Sequence, residues 1–245
     1  MFRGFFYSTL ALVAGAAVVA HADPKDDVTG AIGKLSAAPN YTYVVTRTFG
    51  QNSIVTTVQT EKDGYTHSST DLGGNTIESY AKGDKSVMKN MDGVWQTPEE
   101  IAAANGGGGR RGRGGFGGPQ VAPAVQLSGW ADKLTNIAAG DGGVITAEVD
   151  ADTAKTLAAA GGRGRRGGGG GGGAPPAPPV IKDAKATITF TIADGNIAKY
   201  DVHVTGTRTV NDEDQPIDTT TSTEVKEVGT TKIDVPDEVK AKLNA

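Results

Sequence analysis

Apolar positions in this chain fall at helical spacing, then at alternate positions, then at helical spacing again, and finally at alternate positions once more. In "DPKDDVTGAIGKLSAAPN", Val28, Ala31, Ile32 and Leu35 recur every three or four residues. Asp26 and Asp27 stand in the first turn and Lys34 near the end, where each opposes the helix dipole, so the spacing predicts a short amphipathic helix. In "YTYVVTRTF" the period becomes two: Tyr41, Tyr43, Val45, Arg47 and Phe49 share one face, and Thr42, Val44, Thr46 and Thr48 the other. "SIVTTVQTE", "GYTHSST", "NTIESYAK" and "KSVMKNMDGVWQ" continue the alternation, punctuated by Asp63-Gly64, Gly73-Gly74 and Asp92-Gly93, and predict an antiparallel meander.

The middle of the chain returns to helical spacing. "TPEEIAAAN" has Thr97 as N-cap, Pro98 at the first helical position and Glu100 to complete a capping box. "APAVQLSGWADKLTNIAAG" places Leu127, Trp130, Ala131, Leu134 and Ile137 on one helical face, and "DADTAKTLAAA" adds a further helix after the strand "GVITAEV". Alternation then resumes in "ATITFTIADGNIAKYDVHVTG", with Ile188, Phe190 and Ile192 on one face. After the Asp194-Gly195 turn, Tyr200, Val202 and Val204 point inward and Lys199, Asp201, His203 and Thr205 outward. "PIDTTTSTEVKEV" supplies another strand, "TTKIDVP" a last short one, and "PDEVKAKL" a closing helix. The expected class is α+β. It comprises one large, one-sided antiparallel sheet of about ten strands, an N-terminal helix, a central helical cassette and a short C-terminal helix.

Two low-complexity tracts interrupt this pattern, "GGGGRRGRGG" and "GGRGRRGGGG", each following an alanine-rich helix and leading into an alanine and proline segment. Such glycine density predicts disordered loops over 105–120 and 161–179 within one domain spanning 23–245. They contain Arg110, Arg111, Arg113, Arg163, Arg165 and Arg166 and no acid, so a chain of net charge −4 is an acidic body with two cationic loops. Those arginines are candidates for contact with an anionic surface such as an envelope polymer. "GRGGFG" matches a dinucleotide fingerprint formally but follows a helix and opens none, so it fails the required context.

The first line sets the compartment. Arg3, the apolar run Phe5 to Ala20 and the small-x-small pattern Ala20-His21-Ala22 make up a secretory signal peptide, with cleavage expected after Ala22. No other stretch is apolar enough to span a membrane, so the expected product is exported, periplasmic or secreted. Nucleic acid is therefore not an expected partner of the arginine tracts. With no cysteine in the chain there is no disulfide framework, thiolate nucleophile or thiolate-bound zinc. His67 and His203 sit on separate strands without a second ligand at metal spacing, and no G-x-S-x-G elbow occurs. "DADT" and "NDED" read as a helix cap and a hairpin turn, not as calcium loops. The expectation is a protein without catalytic constellation, metal or cofactor.

The order signal, short helix, meander, helical cassette, "ATITFTIADGNIAKYDVHVTG" and "EVGTTKIDVPDEVKAKL" resembles the lipoprotein-carrier superfamily of exported proteins (LolA-like, LppX-like). The resemblance covers most of 24–245 apart from the glycine tracts. It implies that the sheet is a curved antiparallel half-barrel closed by helices over an apolar cavity that binds a lipid, an acyl chain or a lipoprotein, with the central helical cassette, the helix around Trp130, as lid. Tyr41, Tyr43, Val45, Phe49, Leu127, Trp130 and Leu134 would then line or cover the cavity. The carriers proper anchor their lid with an arginine followed by proline; "SIVTTVQTE" has no arginine, and that role is not carried over to Arg47. The alternative is a non-catalytic envelope scaffold whose arginine loops do the binding.

Overall fold

In a computed structural model the described residues are 23–49, 52–104, 121–161, 180–210 and 213–244. The predicted signal peptide and both arginine-bearing tracts therefore lie outside the described residues. Eleven strands form one antiparallel sheet: β1 (Asn40–Phe49), β2 (Asn52–Glu61), β3 (Tyr65–Asp71), β4 (Thr76–Lys82), β5 (Lys85–Lys89), β6 (Trp95–Gln96), β7 (Leu134–Ala139), β8 (Val144–Val149), β9 (Val180–Ala193), β10 (Asn196–Val210) and β11 (Glu213–Lys226). Their order, β6-β5-β4-β3-β2-β1-β11-β10-β9-β8-β7, places the two halves of the chain side by side. The sheet is curved and unclosed, with β6 and β7 as its edges. Among the described residues five α-helices accompany it: α1 (Pro24–Ala37), α2 (Pro98–Ala104), α3 (Pro123–Trp130), α4 (Ala151–Gly161) and α5 (Asp237–Asn244). Among the described residues no helix is long and apolar enough to cross a membrane.

Register determines which side chains meet. Tyr43 stands opposite Val58 and Val225, Val58 opposite Ser68, and Ser68 opposite Ser79. Across the second half, Tyr200 pairs with Thr223 and Phe190, and Phe190 with Ile145. Because neighbouring residues of a strand point to opposite faces, these positions define one face of the sheet, and Tyr80, Val87 and Trp95 belong to the other. Helices α1, α3 and α4 pack on the first face. There Val28, Ile32, Leu35 and Leu127 join Tyr43, Val58, Ile188, Phe190 and Tyr200 in the larger core. Helix α5 covers the opposite face at the far end, where Val235, Val239 and Leu243 pack on Tyr80, Val87 and Trp95.

Local signals account for the element ends. Asp23 caps α1 by accepting the Lys25 N–H at 2.9 Å. At α2 the capping box forms reciprocally: Thr97 N–H donates to Glu100 Oε2 at 2.8 Å, and Glu100 N–H to Thr97 Oγ1 at 3.3 Å. Asp150 accepts the Thr153 N–H at 2.7 Å, so "DADT" is the cap of α4. Asp194 and Gly195 have φ of 52° and 70°, the two positive values that a tight hairpin between β9 and β10 requires.

Two expectations are corrected. The helix predicted through Ile137 ends at Trp130; a 3-10 turn follows, and Leu134–Ala139 is strand β7. Leu134 faces Val149 and Ala139 faces Ile145, so tertiary pairing along the edge of β8 overrides the helical spacing, and the central cassette is part helix and part sheet. "TTKIDVP" forms no strand. Its backbone is held by side chains instead: Gln59 Nε2 donates to Lys232 O at 3.4 Å and the Tyr80 hydroxyl to Asp234 O at 3.0 Å. The segment runs as a strap across the face that α5 covers.

Candidate functional site

Strand β1 crosses the centre of the sheet, and its inward residues Tyr41, Tyr43 and Val45 are buried under α1 and α3. The rings of Tyr41 and Tyr43 lie 5.9 Å apart at 43°. Three polar contacts hold α3 over them. The Tyr41 hydroxyl accepts the Ala124 N–H at 3.4 Å, the Tyr200 hydroxyl donates to Gln126 Oε1 at 2.8 Å, and Ser128 Oγ meets Ser36 Oγ of α1 at 3.0 Å. Leu127, fully buried, is the apolar anchor of this eight-residue helix. Its N-cap, Ala122, supplies no side-chain bond, so the helix is held by these contacts and by the burial of Pro123 and the packing of Ala124 and Trp130 on the core.

Beside α3 a cavity of about 130 Å³ opens over β1, β10 and β11. Tyr43, Val45, Arg47, Tyr200, Thr221 and Thr223 form its floor and sides, with Gln126 and Val121 at the helix end. The Tyr43 side chain is 1% exposed, and its hydroxyl has no hydrogen-bond partner. Burial pushes the Tyr43 phenol far above the ordinary tyrosine range, and burial carries Tyr200 to about 12, so both remain neutral donors. An unpaired buried hydroxyl costs about 1–3 kcal/mol, and here it borders a cavity with further hydroxyls and a guanidinium. The arrangement suits the polar end of a ligand, with donors from Tyr43 and Arg47 and hydroxyls from Thr221 and Thr223.

Further along the same face, over β2, β3 and β4, the wall is made of hydroxyls. Thr56 meets Thr70 at 3.0 Å, Thr60 meets Thr66 at 3.2 Å, and Ser68 meets Ser79 at 2.7 Å. These pairs satisfy one another and leave that part of the face polar.

The residues singled out from the sequence are distributed unequally. Tyr43 and Val45 line the cavity; Tyr41, Leu127 and Leu134 lie in the adjoining core; Trp130 lines a separate cleft at the far end of α3. The Phe49 side chain lies outside the described residues, as do Arg110, Arg111, Arg113, Arg163, Arg165 and Arg166. Arg47, Val121, Gln126, Tyr200, Thr221 and Thr223 line the cavity without being among the candidate ligand residues. Tyr200 carried a signal, since it falls on the inward face of its strand, whereas the threonines enter through the β10–β11 register. Among the described residues no group of histidine and carboxylate side chains is placed to hold a metal ion.

No family model matches the chain, and no curated protein matches it. Among solved structures it is similar to the crystal structure of LprF from Mycobacterium bovis, with 12% sequence identity over 88% of this chain and 97% of that one and a TM-score of 0.44.

Proposed function

We propose that this chain is an exported, non-catalytic binding protein that carries an amphipathic, lipid-like ligand in the cell envelope. The ligand's polar end sits in the cavity over β1, β10 and β11, and its apolar part enters the seam under α3. The observation that carries this reading is the Tyr43 hydroxyl, buried, neutral and unpaired at the edge of a cavity. At about 130 Å³ the cavity is smaller than the roughly 300–1,000 Å³ of small-molecule sites. An acyl chain is therefore admitted only as α3, a helix of eight residues without a side-chain N-cap, lifts from β1. The signal-like first line and the order of elements support the compartment and the carrier class.

A second reading, an envelope scaffold acting through its arginine tracts, is favoured by the closely filled core beneath the helices. One experiment separates the two. Residues 23–245 are exported to a bacterial periplasm, purified without detergent and weighed by native mass spectrometry. The carrier reading expects a co-purifying lipid that survives high salt and is lost or weakened about tenfold by Tyr43→Phe. The variant itself should be as stable as the parent or slightly more so, because an unpaired buried hydroxyl is gone. A protein that emerges empty and takes up neither a fluorescent fatty acid nor a phospholipid sinks the carrier reading. Salt-sensitive retention on an anionic polymer would then favour the scaffold.

A further inference from the structure

Trp130 ends α3 beside the first turn of α4, and between them lies an open cleft of about 360 Å³ bordered by Trp130, Lys133, Asp150, Asp152, Thr153 and Thr156. It lies at the opposite end of α3 from the Tyr43 cavity, with no lining residue in common. The indole is partly exposed at the cleft and packs on the main core with the rest of its surface, so it is a rigid aromatic wall.

The lining carries two carboxylates and one ammonium, and a second ammonium, Lys155, stands just outside it. Asp152 pairs with Lys155 at 3.9 Å, and Asp150 stands near Lys133. The positive end of α4 is already occupied, because Asp150 accepts the Thr153 N–H at 2.7 Å. The cleft consequently offers neither an anion site nor the uncompensated negative field that would select a cation over the indole. What it does offer is one flat apolar surface facing two carboxylates, an ammonium and the Thr156 hydroxyl oxygen, which donates its own proton to Asp152 O at 2.9 Å. Thr153, 6% exposed, closes its base against Asp150, whose carboxyl its N–H and hydroxyl hold below the usual carboxylate range. A neutral molecule with an apolar C–H face and many hydroxyls matches this set. The C–H face stacks on the indole, and its hydroxyls donate to carboxylates and accept from the ammonium.

We propose that the Trp130 cleft is a binding subsite for a neutral saccharide, formed by the indole as stacking platform with Asp150, Asp152 and Lys133 as hydrogen-bonding groups. The site is independent of the carrier reading and stands if the Tyr43 cavity binds nothing.

The test is a titration of residues 23–245 with cellotriose and chitotriose, followed by two-dimensional amide and indole NMR. The expected result is saturable shifts at the Trp130 indole N–H, Lys133 and the first turn of α4, in the millimolar range. Asp152→Ala, at a fully exposed carboxylate, and Asp150→Asn, which keeps a capping side chain, should each weaken binding severalfold, and Trp130→Ala should abolish it. Because both aspartate variants retain the fold, their spectra keep the result interpretable even where Trp130→Ala perturbs packing. Absence of shifts at tens of millimolar sugar overturns the proposal. So does binding that Asp152→Ala and Asp150→Asn leave unchanged, shifts centred on the Tyr43 cavity, or a preference for tetramethylammonium over either sugar.

Discussion

His67 shows how one side chain senses the environment of the smaller core. Its ring stacks on Tyr80 with centroids 4.4 Å apart, Nδ1 lies 3.2 Å from Gln59 Oε1, and Nε2 lies 3.8 Å from Glu78 Oε1. Glu78 is itself engaged by Lys89 at 2.8 Å. Burial holds the imidazole below its ordinary range, and the Glu78 carboxylate only partly offsets it. As pH falls the unfolded chain therefore takes up this proton first. The stability tied to the neutral ring is complete above its unfolded pKa of about 6.5 and is lost as pH drops toward the lower folded value. Unfolding midpoints between about pH 7 and pH 5 should decline, and His67→Gln should decline less steeply. Equal slopes for parent and variant would show that other groups set the dependence. Sequence alone placed His67 on a strand. Its stacking partner comes from the β3–β4 register, which pairs His67 with Tyr80 and which no local pattern encodes.

At the scale of elements, the legible parts were those in which period and turn chemistry agree. The β9–β10 hairpin is one: its inward residues, its outward residues and its Asp194-Gly195 turn all follow from local sequence. The segment after Trp130 differs, because "ADKLTNIAAG" satisfies helical spacing equally well and what decides it is a neighbour, the open edge of β8. The β7–β8 turn also carries a signal of a different kind. Gly142 and Gly143 have φ of 67° and 77°, and a Cβ on Gly143 would collide with the Ile192 carbonyl oxygen, while one on Gly142 would meet open space. Both alanine variants incur the left-handed strain of about 1 kcal/mol, and Gly143→Ala adds a backbone clash against β9, for a total of about 2–3 kcal/mol. Urea midpoints should therefore rank parent above Gly142→Ala above Gly143→Ala. Equal losses would mean that the turn moves away from β9 at little cost.

For the whole molecule, the consequence is two cores on opposite faces of one sheet. The larger, under α1, α3 and α4, surrounds the Tyr43 cavity and adjoins the Trp130 cleft; the smaller, under α5 and the strap, touches neither. The strap and α5 are tied down by Val235, Val239 and Leu243, the Tyr80–Asp234 bond, and the Lys242–Glu100 ion pair at 2.6 Å. Few of these are backbone bonds, and the ion pair is at the surface, where such pairs contribute about 1 kcal/mol or less. This end should thus open locally before the β9–β10 hairpin does. Val239, fully buried, is the residue to change: Val239→Ala removes about 1–2 kcal/mol of apolar contact from the smaller core alone. Native-state hydrogen exchange should then show faster exchange in α5, β4 and β5, with β9 and β10 unchanged. In that case a ligand in the Tyr43 cavity protects β1 and β10 without protecting α5. If Val239→Ala accelerates β9 and β10 equally, the shared strands β1 and β2 transmit the loss and the sheet unfolds as one unit.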